Sequence, residues 1–260
     1  MRVIKEERFI KELNRNAYLY IGLPSSYGSN EKHYPVLYMH DGHNLFFKED
    51  AFIQETWQIK EAFLKDSSLP EVIIVGLSCA QGIERLNEYG PFVFDKSISL
   101  DFGQGPYGGK GDLYLDYLVN ILKPEIDQRF NTLKEAHQTA MMGASMGGVI
   151  SLYAAIKYPH VFGLIASLSG SYFVSLKAFI DSINNADLSL VKKIYLDTGD
   201  DENGIAEPYD YIESNMEIYE ALKTKLSKER LEFQIISGGK HNEIAWAKRF
   251  PNILKTLYQN

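Results

Sequence analysis

Hydrophobic residues along the chain follow two periods, one typical of buried strands and the other typical of amphipathic helices. Continuous apolar runs, of which Val72–Leu77 is the clearest, predict strands that are buried on both faces of a sheet. Segments with apolar residues three or four positions apart, such as Met146–Tyr158, predict helices. The predicted strands are Val3–Ile10, Asn16–Leu23, Tyr34–His40, Val72–Leu77, Thr139–Ala144, Val161–Leu168, Lys193–Asp197 and Leu231–Ile236. The predicted helices are Ala51–Leu64, Asp112–Phe130, Met146–Tyr158, Tyr209–Lys228 and Glu243–Leu257.

The order of these elements predicts one α/β domain. From Tyr34 onward strands alternate with helices, which favours a mostly parallel central sheet with helices on both faces. The first two strands predict a hairpin at the sheet edge. The chain has no internal repeat, low-complexity tract or linker, so we expect a single domain over residues 1–260. The residues of the Asp112–Phe130 helix that we expect to face the core are Leu113, Tyr117, Ile121 and Ile126.

Composition and charge exclude several classes of partner. The formal net charge is −7 and no basic cluster interrupts it, which argues against nucleic acid and against an anionic membrane surface. The single cysteine, Cys79, allows no disulfide within the chain and suits a reducing compartment. The charged start of the chain, Met1–Arg8, has no apolar run, and no segment is long enough to span a bilayer. We therefore expect a cytoplasmic protein; the sequence gives no indication of its oligomeric state.

A single G-x-S-x-G motif lies between a predicted buried strand and a predicted helix. Gly143, Ser145 and Gly147 form it. A serine at such a strand–turn–helix junction is typical of a nucleophile elbow, where glycines are needed because larger side chains would collide with the neighbouring strand and helix. The alternative is a serine that only caps the amino end of a core helix.

Polar residues after two later strands complete a set for nucleophilic catalysis. An acidic cluster follows the strand ending at Asp197, and His241 follows the last strand, so the chain order is serine, acid, histidine. Ser145 would be the nucleophile and His241 the base that takes its proton. The acid position three residues past Gly199 selects Glu202, with Asp201 as the second choice.

The acidic cluster, which also contains Asp200, does not fit a calcium loop. An EF-hand register anchored on Gly204 would place Gly199 at the first ligand position and Asp210 at the last, where glutamate is required. We therefore predict no calcium site.

Two backbone N–H groups are candidates for an oxyanion hole. Met146 follows the nucleophile at the start of a helix, and His43 lies in the loop after the Tyr34–His40 strand. His40, Asp41 and His43 also resemble a zinc ligand set, but they lie at one strand end without further ligands, so we predict no metal site.

A long segment rich in glycine, proline and aromatic residues, Ser78–Gly111, is predicted to be irregular and to form one wall of the substrate site. Its substrate-binding candidates are Arg85, Glu88 and Tyr89. Tyr172 and Phe173, after the next strand, are candidates to stack on a sugar or phenolic ring. The alternative, that these aromatic residues only cover the sheet edge, stays open. The segment Gly170–Leu190 is too short for a large lid.

Four sequence runs together resemble the putative esterase family of α/β-hydrolases, which includes esterase D, feruloyl and acetylxylan esterases, enterochelin-type esterases and the antigen 85 mycolyltransferases. The runs are Tyr38–Phe46, Tyr107–Asp112, Gly143–Gly148 and His241–Trp246. The resemblance extends from about Tyr34 to Phe250. It implies the α/β-hydrolase fold and a Ser–acid–His ester hydrolase without a cofactor, whose acid position falls on Glu202.

The sequence leads to two functional hypotheses. The first is a serine ester hydrolase that acts through an acyl-enzyme on small or carbohydrate-linked esters, with acyl transfer to an acceptor other than water as a variant. The second is a ligand-binding protein that has kept the fold and lost the activity. The complete set of serine, acid and histidine favours the first.

Overall fold

An eight-stranded sheet forms the centre of the part of the chain that the structure describes. The structure is a computed structural model, and the residues it describes are 1–29, 31–94, 105–204 and 206–258. The strands are β1 (Arg2–Ile10), β2 (Arg15–Leu23), β3 (Val36–Met39), β4 (Ile73–Leu77), β5 (Thr139–Ala144), β6 (Leu164–Leu168), β7 (Lys193–Gly199) and β8 (Leu231–Ile236). They lie side by side in the order β1-β2-β4-β3-β5-β6-β7-β8.

The sheet is parallel except at one edge. β1 and β2 form an antiparallel hairpin, and β2 is also antiparallel to β4. From β4 to β8 every neighbouring pair is parallel. Each of the eight predicted strands is present, and the prediction of a mostly parallel sheet with an edge hairpin is confirmed. The carboxyl ends of β3 to β8 therefore meet at one edge, where sites in open α/β sheets form.

Helices cover both faces of the sheet. They are α1 (Ile59–Lys65), α2 (Ile83–Tyr89), α3 (Gly111–Tyr117), α4 (Lys123–Arg129), α5 (Met146–Lys157), α6 (Leu176–Asn185), α7 (Pro208–Lys223) and α8 (Glu243–Tyr258). One apolar cluster joins one sheet face to residues of α3 to α7, and a second joins the other face to α1 and α8. Within the described ranges, no helix combines the length and the apolar character needed to cross a membrane.

One helix begins later than predicted, and one segment predicted to be irregular contains a helix. The helix predicted over Ala51–Leu64 begins only at Ile59. Two backbone N–H groups that precede Ile59 are hydrogen-bonded to Asn44 and not within a helix: Phe52 N–H donates to the Asn44 side chain, and Trp57 N–H donates to the Asn44 carbonyl. The segment Ser78–Gly111, predicted to be irregular, contains α2. Residues 95–104 of that segment, Phe102 among them, lie outside the described residues.

The connection between β6 and β7 is short and carries no large lid. Its described residues form a single 3-10 turn, Tyr172–Ser175, followed by α6. Together with the strand order, this arrangement is the α/β-hydrolase fold.

Candidate active site

Ser145 occupies a sharp turn between β5 and α5. Its backbone is in a strained conformation with φ 58° and ψ −127°, and its N–H donates to the Leu168 carbonyl at 2.9 Å. A Cβ on Gly143 would lie 2.6 Å from the Gly147 backbone, and one on Gly148 would lie 2.5 Å from Ser167 Oγ. The Ser145 side chain makes no capping hydrogen bond to α5 within the described chain. The backbone makes the strained strand-to-helix turn that the motif predicts, which is called the elbow below, and the Ser145 side chain does not cap the helix.

His241 is held by a buried carboxylate. Its Nδ1 lies 2.6 Å from Glu202 Oε2, and Glu202 is fully buried. Gly199 N–H donates to the other carboxylate oxygen at 2.6 Å. Burial alone would raise the pKa of Glu202, but the hydrogen bonds from His241, Ser169 and Gly199 outweigh it and lower the pKa below its usual value.

The other two acidic residues of the cluster point elsewhere. The Asp200 carboxylate accepts a hydrogen bond from Gly238 N–H at 2.6 Å, and the half-buried Asp201 lies 3.7 Å from Lys240 Nζ. The structure therefore brings Glu202, and neither Asp200 nor Asp201, to His241.

The imidazole of His241 is also packed between two aromatic rings. The ring centroid of Tyr211, on α7, lies 4.8 Å away, and that of Trp246, on α8, lies 5.1 Å away in an edge-on arrangement. Phe173 contacts Tyr211 from the other side, at 5.0 Å between ring centroids, and is itself only partly buried. The imidazole thus has a fixed plane as well as a fixed hydrogen-bond partner.

The turn after β3 packs against the elbow. The backbone of Asp41 is in the left-handed helical region, with φ 52°. Asp41 immediately precedes the 3-10 turn Gly42–Asn44, which contains His43. A Cβ on Gly147 would lie 3.3 Å from His40 Cβ and 3.5 Å from Asp41 Oδ2, so this turn and the start of α5 are neighbours. Met146 is the first residue of α5, and a first-turn N–H has no partner inside its own helix. Both predicted oxyanion donors therefore belong to backbone at this same edge.

The turn is tied to α8 by buried polar groups. Asn44 Nδ2 donates to Glu243 Oε1 at 3.0 Å, and both residues are buried. Burial raises the pKa of Glu243 above its usual value. The same asparagine therefore connects the His43 turn to the helix that begins two residues after His241.

The Arg85 side chain is hydrogen-bonded to the turn after β3 and is not a free substrate-binding group. Its Nε and Nη2 donate to the two carboxylate oxygens of Asp41, each at 2.8 Å. Burial alone would raise the pKa of Asp41, but the guanidinium more than compensates and holds the pKa well below its usual range. Arg85 keeps about a quarter of its side chain exposed, at 26%.

Three further substrate-binding predictions, Glu88, Tyr89 and Tyr172, need correction. Glu88 is buried and its two carboxylate oxygens accept from Arg15, each at 2.7 Å. Tyr89 is fully buried, and its hydroxyl accepts the Asp41 N–H at 3.1 Å. Tyr172 is fully buried with its hydroxyl 2.7 Å from Ser167 Oγ. These side chains support the site from inside and offer no surface for a sugar or phenolic ring.

The one group of side chains resembling a metal site in the described ranges differs from the set considered in the sequence. Ligand atoms of Asp41, His43 and Cys79 lie within 4.8 Å of one another. His40 is instead buried beside Tyr114, whose hydroxyl lies 2.8 Å from Nδ1, and burial lowers the pKa of His40 to about 3. Since Arg85 already occupies both Asp41 oxygens, a cation bound there would meet a guanidinium, so the donor set does not fit a divalent metal.

Two serines that sequence reasoning missed lie beside the elbow. Ser171 Oγ is 3.1 Å from Ser145 Oγ, and Ser169 accepts hydrogen bonds from Trp246 and Arg249. Ser169 and Ser171 lie within three residues of the end of β6, the neighbour of β5. The rule that active residues follow parallel strands applied to them as well, but after this strand the prediction named only Tyr172 and Phe173.

Comparison with known proteins agrees with this architecture. A family model described as "Putative esterase" matches residues 10–257. The Bacillus subtilis protein YbbA is 30% identical over 249 residues, which cover 94% of this chain and 93% of YbbA. A ferulic acid esterase structure superposes with a TM-score of 0.69 at 19% identity, covering 98% of each chain. The enterobactin esterase FES from Shigella flexneri superposes with a TM-score of 0.76 at 18% identity, covering 100% of this chain and 59% of FES.

The class of protein follows from the fold and the family match taken together. The α/β-hydrolase fold and the esterase family model identify a carboxylic ester hydrolase. The chain belongs to the putative esterase family.

Proposed function

We propose that this protein hydrolyses carboxylic esters through an acyl-enzyme on Ser145, with His241 as the general base and Glu202 as the acid that orients it. The observation that carries the proposal is the 2.6 Å contact between His241 Nδ1 and the fully buried Glu202 carboxylate, at the sheet edge where Ser145 occupies the elbow. Serine, histidine and acid with these neighbours are the minimum set for this chemistry.

The contact with Glu202 determines which imidazole nitrogen acts as base. A carboxylate only accepts, so Nδ1 of His241 carries the proton and Nε2 has the free lone pair. Nε2 takes the Ser145 proton as Oγ attacks the ester carbonyl carbon. Glu202 stabilises the imidazolium that forms, and the N–H groups of His43 and Met146 hold the oxyanion.

The same imidazole then completes both halves of the reaction. Collapse of the first tetrahedral intermediate breaks the bond to the alcohol, and the imidazolium gives that oxygen its proton. A water molecule, deprotonated by His241, attacks the acyl-enzyme, and the second collapse releases the carboxylic acid and returns the proton to Ser145.

The short connection between β6 and β7 supports small or carbohydrate-linked esters as substrates, because this connection adds no large lid. The partly exposed Phe173 packs against Tyr211, which in turn contacts His241, and it offers an apolar surface for the ester. Two similar structures are named for a ferulic acid esterase and an enterobactin esterase, so feruloyl and enterobactin-type esters are the first candidates to test. Transfer to an acceptor other than water would use the same acyl-enzyme.

Turnover of 4-nitrophenyl acetate and labelling by a fluorophosphonate test the proposal. We expect Ser145→Ala to lose labelling and to lower kcat by about a thousandfold or more, because the nucleophile is gone. Ser214→Ala is the matched control: its hydroxyl is buried on α7 and donates only to helix carbonyls, so both signals should remain. A panel of acetyl, feruloyl and enterobactin-type esters would then identify the acyl group.

A folded wild-type protein that neither turns over esters nor reacts with the fluorophosphonate would contradict the proposal. That result would favour the second hypothesis, a ligand-binding protein that has kept the fold and lost the activity. Release of less carboxylic acid than alcohol in the presence of a second alcohol would instead point to acyl transfer.

A further inference from the structure

The oxyanion donor and the base of the proposed reaction follow strands that are not neighbours. The turn with His43 follows β3, whereas His241 follows β8, and β5, β6 and β7 lie between these two strands in the sheet. Strand pairing therefore fixes each group against the sheet but does not tie one group directly to the other. Their separation has to be set closely, because a misplacement of about 1 Å can slow a reaction about a hundredfold.

A buried contact between two side chains joins the two groups directly. Asn44 is the last residue of the 3-10 turn that contains His43, and Glu243 is the first residue of α8, two positions after His241. Asn44 Nδ2 donates to Glu243 Oε1 at 3.0 Å, and the two residues are only 6% and 9% exposed. Little water competes for this hydrogen bond, which strengthens it relative to one at the surface.

The surrounding backbone determines which way the Asn44 amide faces. Phe52 N–H donates to Asn44 Oδ1 at 2.9 Å, and a backbone N–H can only donate. The amide oxygen therefore faces Phe52, which leaves the Nδ2 donor for Glu243. Asn44 N–H also donates to the Asp41 carbonyl at 2.8 Å. The residue is thus held by its main chain and by both polar atoms of its side chain.

A second set of contacts leads from the same asparagine to His241. The Asn44 carbonyl accepts the Trp57 N–H at 2.9 Å. The Trp57 ring stacks on that of Trp246, with 6.0 Å between the centroids, and Trp246 packs edge-on against His241. Trp246 lies in the first turn of α8, as Glu243 does. The turn after β3 is therefore connected at two points to the start of α8, beside the base.

Resting on the proposed function, we infer that Asn44 and Glu243 form a positioning pair that sets the distance between the His43 N–H and the His241 imidazole. The His43 N–H holds the carbonyl oxygen of the ester, and the imidazole moves protons to and from the oxygens bound to the same carbon. The pair transfers no proton itself and acts only through these two groups. A change in their separation slows acylation and deacylation alike.

Exchange of the two functional groups tests the pair. Asn44→Asp keeps an oxygen for the Phe52 N–H, but it replaces the donor with a second carboxylate facing Glu243. Glu243→Gln alone keeps an acceptor oxygen for the Asn44 amide. The double variant reverses the hydrogen bond, because an amide at position 243 donates to a carboxylate at position 44.

The three variants should differ in kcat for 4-nitrophenyl acetate. We expect a fall of about tenfold to a hundredfold in Asn44→Asp, a value within about threefold of wild type in Glu243→Gln, and a return to within about fivefold in the double variant. KM should change little, since the pair does not touch the ester. Each rate is divided by the concentration of sites that react with the fluorophosphonate, so unfolded protein does not enter the comparison.

A further variant tests the contact from α8. Glu243→Met removes the acceptor without placing two carboxylates together, and it remains informative if Asn44→Asp does not fold. We expect it to lower kcat per reactive site about tenfold, whereas Glu243→Gln at the same position does not.

Thr132→Val is the matched control. Thr132 is buried and its hydroxyl also donates to a carboxylate, that of Asp127, at 2.7 Å. It forms a bridge with Tyr34, before β3 begins, and so lies at the amino end of the strands, away from the site. Urea denaturation should show a loss of stability in Thr132→Val, while kcat per reactive site stays that of wild type.

Two results would overturn the inference and leave the proposed function intact. One is an unchanged kcat per reactive site in Asn44→Asp or, if that variant does not fold, in Glu243→Met. The other is a double variant that is no faster than Asn44→Asp. In both cases the wild-type protein still turns over the ester. A folded wild-type protein that neither hydrolyses the ester nor reacts with the fluorophosphonate contradicts the proposed function itself, and the positioning role falls with it.

Discussion

At the scale of single residues, three consecutive carboxylates have three different environments. Asp200 accepts a hydrogen bond from a loop N–H, Asp201 is half-buried near Lys240, and Glu202 is buried against His241. A carboxylate that is buried yet has a lowered pKa stays ionised at neutral pH, as the orientation and stabilisation of imidazolium require. Environment, more than position in the sequence, distinguishes the three.

Substitution of these carboxylates should give unequal effects. We expect Glu202→Gln to lower kcat about 10³- to 10⁴-fold with little change in KM, because the amide neither fixes the Nδ1–H tautomer nor stabilises imidazolium. Asp201→Asn, matched in chemistry and one residue away, should stay within about twofold of wild type. Steady-state kinetics with 4-nitrophenyl acetate measure both. Comparable losses in the two variants would mean that Asp201 takes part.

Local sequence carries more information about some candidate site residues than about others. The sequence selected Ser145, Glu202 and His241 because each lies at a fixed offset from a strand end or a turn glycine, and the structure brings Glu202 to His241. Arg85, Glu88 and Tyr89 lie in a segment whose helix was not predicted, and their partners Asp41 and Arg15 are far away in the chain. Whether a tyrosine lines a cleft or fills the interior depends on tertiary packing, which the local pattern does not contain.

At the scale of elements, the elbow depends on a backbone contact between β5 and α5. A Cβ at Gly143 would lie 2.6 Å from the carbonyl group of Gly147, which cannot move without displacing α5. At Gly147 the nearest atom to an added Cβ is 3.3 Å away, on the His40 side chain. The two glycines of the motif are therefore not equivalent.

Alanine substitutions should separate the two glycines. We expect Gly143→Ala to lower the free energy of unfolding by about 1–3 kcal/mol, because the added methyl group forces the strand and helix apart. It should also slow fluorophosphonate labelling of Ser145. Gly147→Ala should cost less than about 1 kcal/mol, since alanine is favoured in a helix and partly offsets the tight contact. Urea denaturation of each variant measures the difference, and equal losses would contradict this account.

The helix before the elbow shows where a periodic pattern is ambiguous. Leu113 and Ile121, predicted to face the core, are 48% and 47% exposed, whereas Tyr117 and Ile126 are buried as predicted. Apolar residues are so dense between Leu113 and Leu122 that more than one helical face fits the sequence. A π-helical segment, Leu118–Leu122, then changes the number of residues per turn between α3 and α4. A fixed 3.6-residue period does not anticipate that change.

At the scale of the whole molecule, the eight strands and the mostly parallel sheet followed from the alternation of strands with helices. The order of the strands across the sheet did not follow from this alternation, because it depends on which neighbouring strands each connection crosses. β4 lies between β2 and β3, so the sequence neighbours β2 and β3 do not pair. The sequence placed His43 after a predicted parallel strand, but it could not show that this strand, β3, lies directly beside β5.

Global stability should depend on pH through Asp197. Burial raises the pKa of Asp197 to about 6, against the opposing effect of Arg249. Since the unfolded chain has the ordinary value near 3.9, the folded state holds the proton more tightly between about pH 4 and pH 6. The contribution of this group to the free energy of unfolding therefore falls as pH rises through that window, by about 3 kcal/mol.

The variant Asp197→Asn isolates this effect, because it lacks the titrating group and keeps Glu202 and all other carboxylates. We expect the free energy of unfolding of wild type minus that of the variant to decrease from pH 4 to about pH 6 and then to level off. Urea denaturation at several pH values measures it. A difference that does not vary with pH would show that Asp197 titrates normally.

The long separation of the site residues along the chain has a consequence for synthesis of the protein. His43, Ser145 and Glu202 precede β8, whereas His241 follows it, and Trp246 and Arg249 lie on α8. A growing chain that has reached β7 already contains the elbow, but it lacks His241 and the helix whose Trp246 and Arg249 donate hydrogen bonds to Ser169. On the proposed mechanism, an unfinished polypeptide on the ribosome cannot cleave esters. The activity begins only when β8 has paired with β7 and α8 has packed against the sheet.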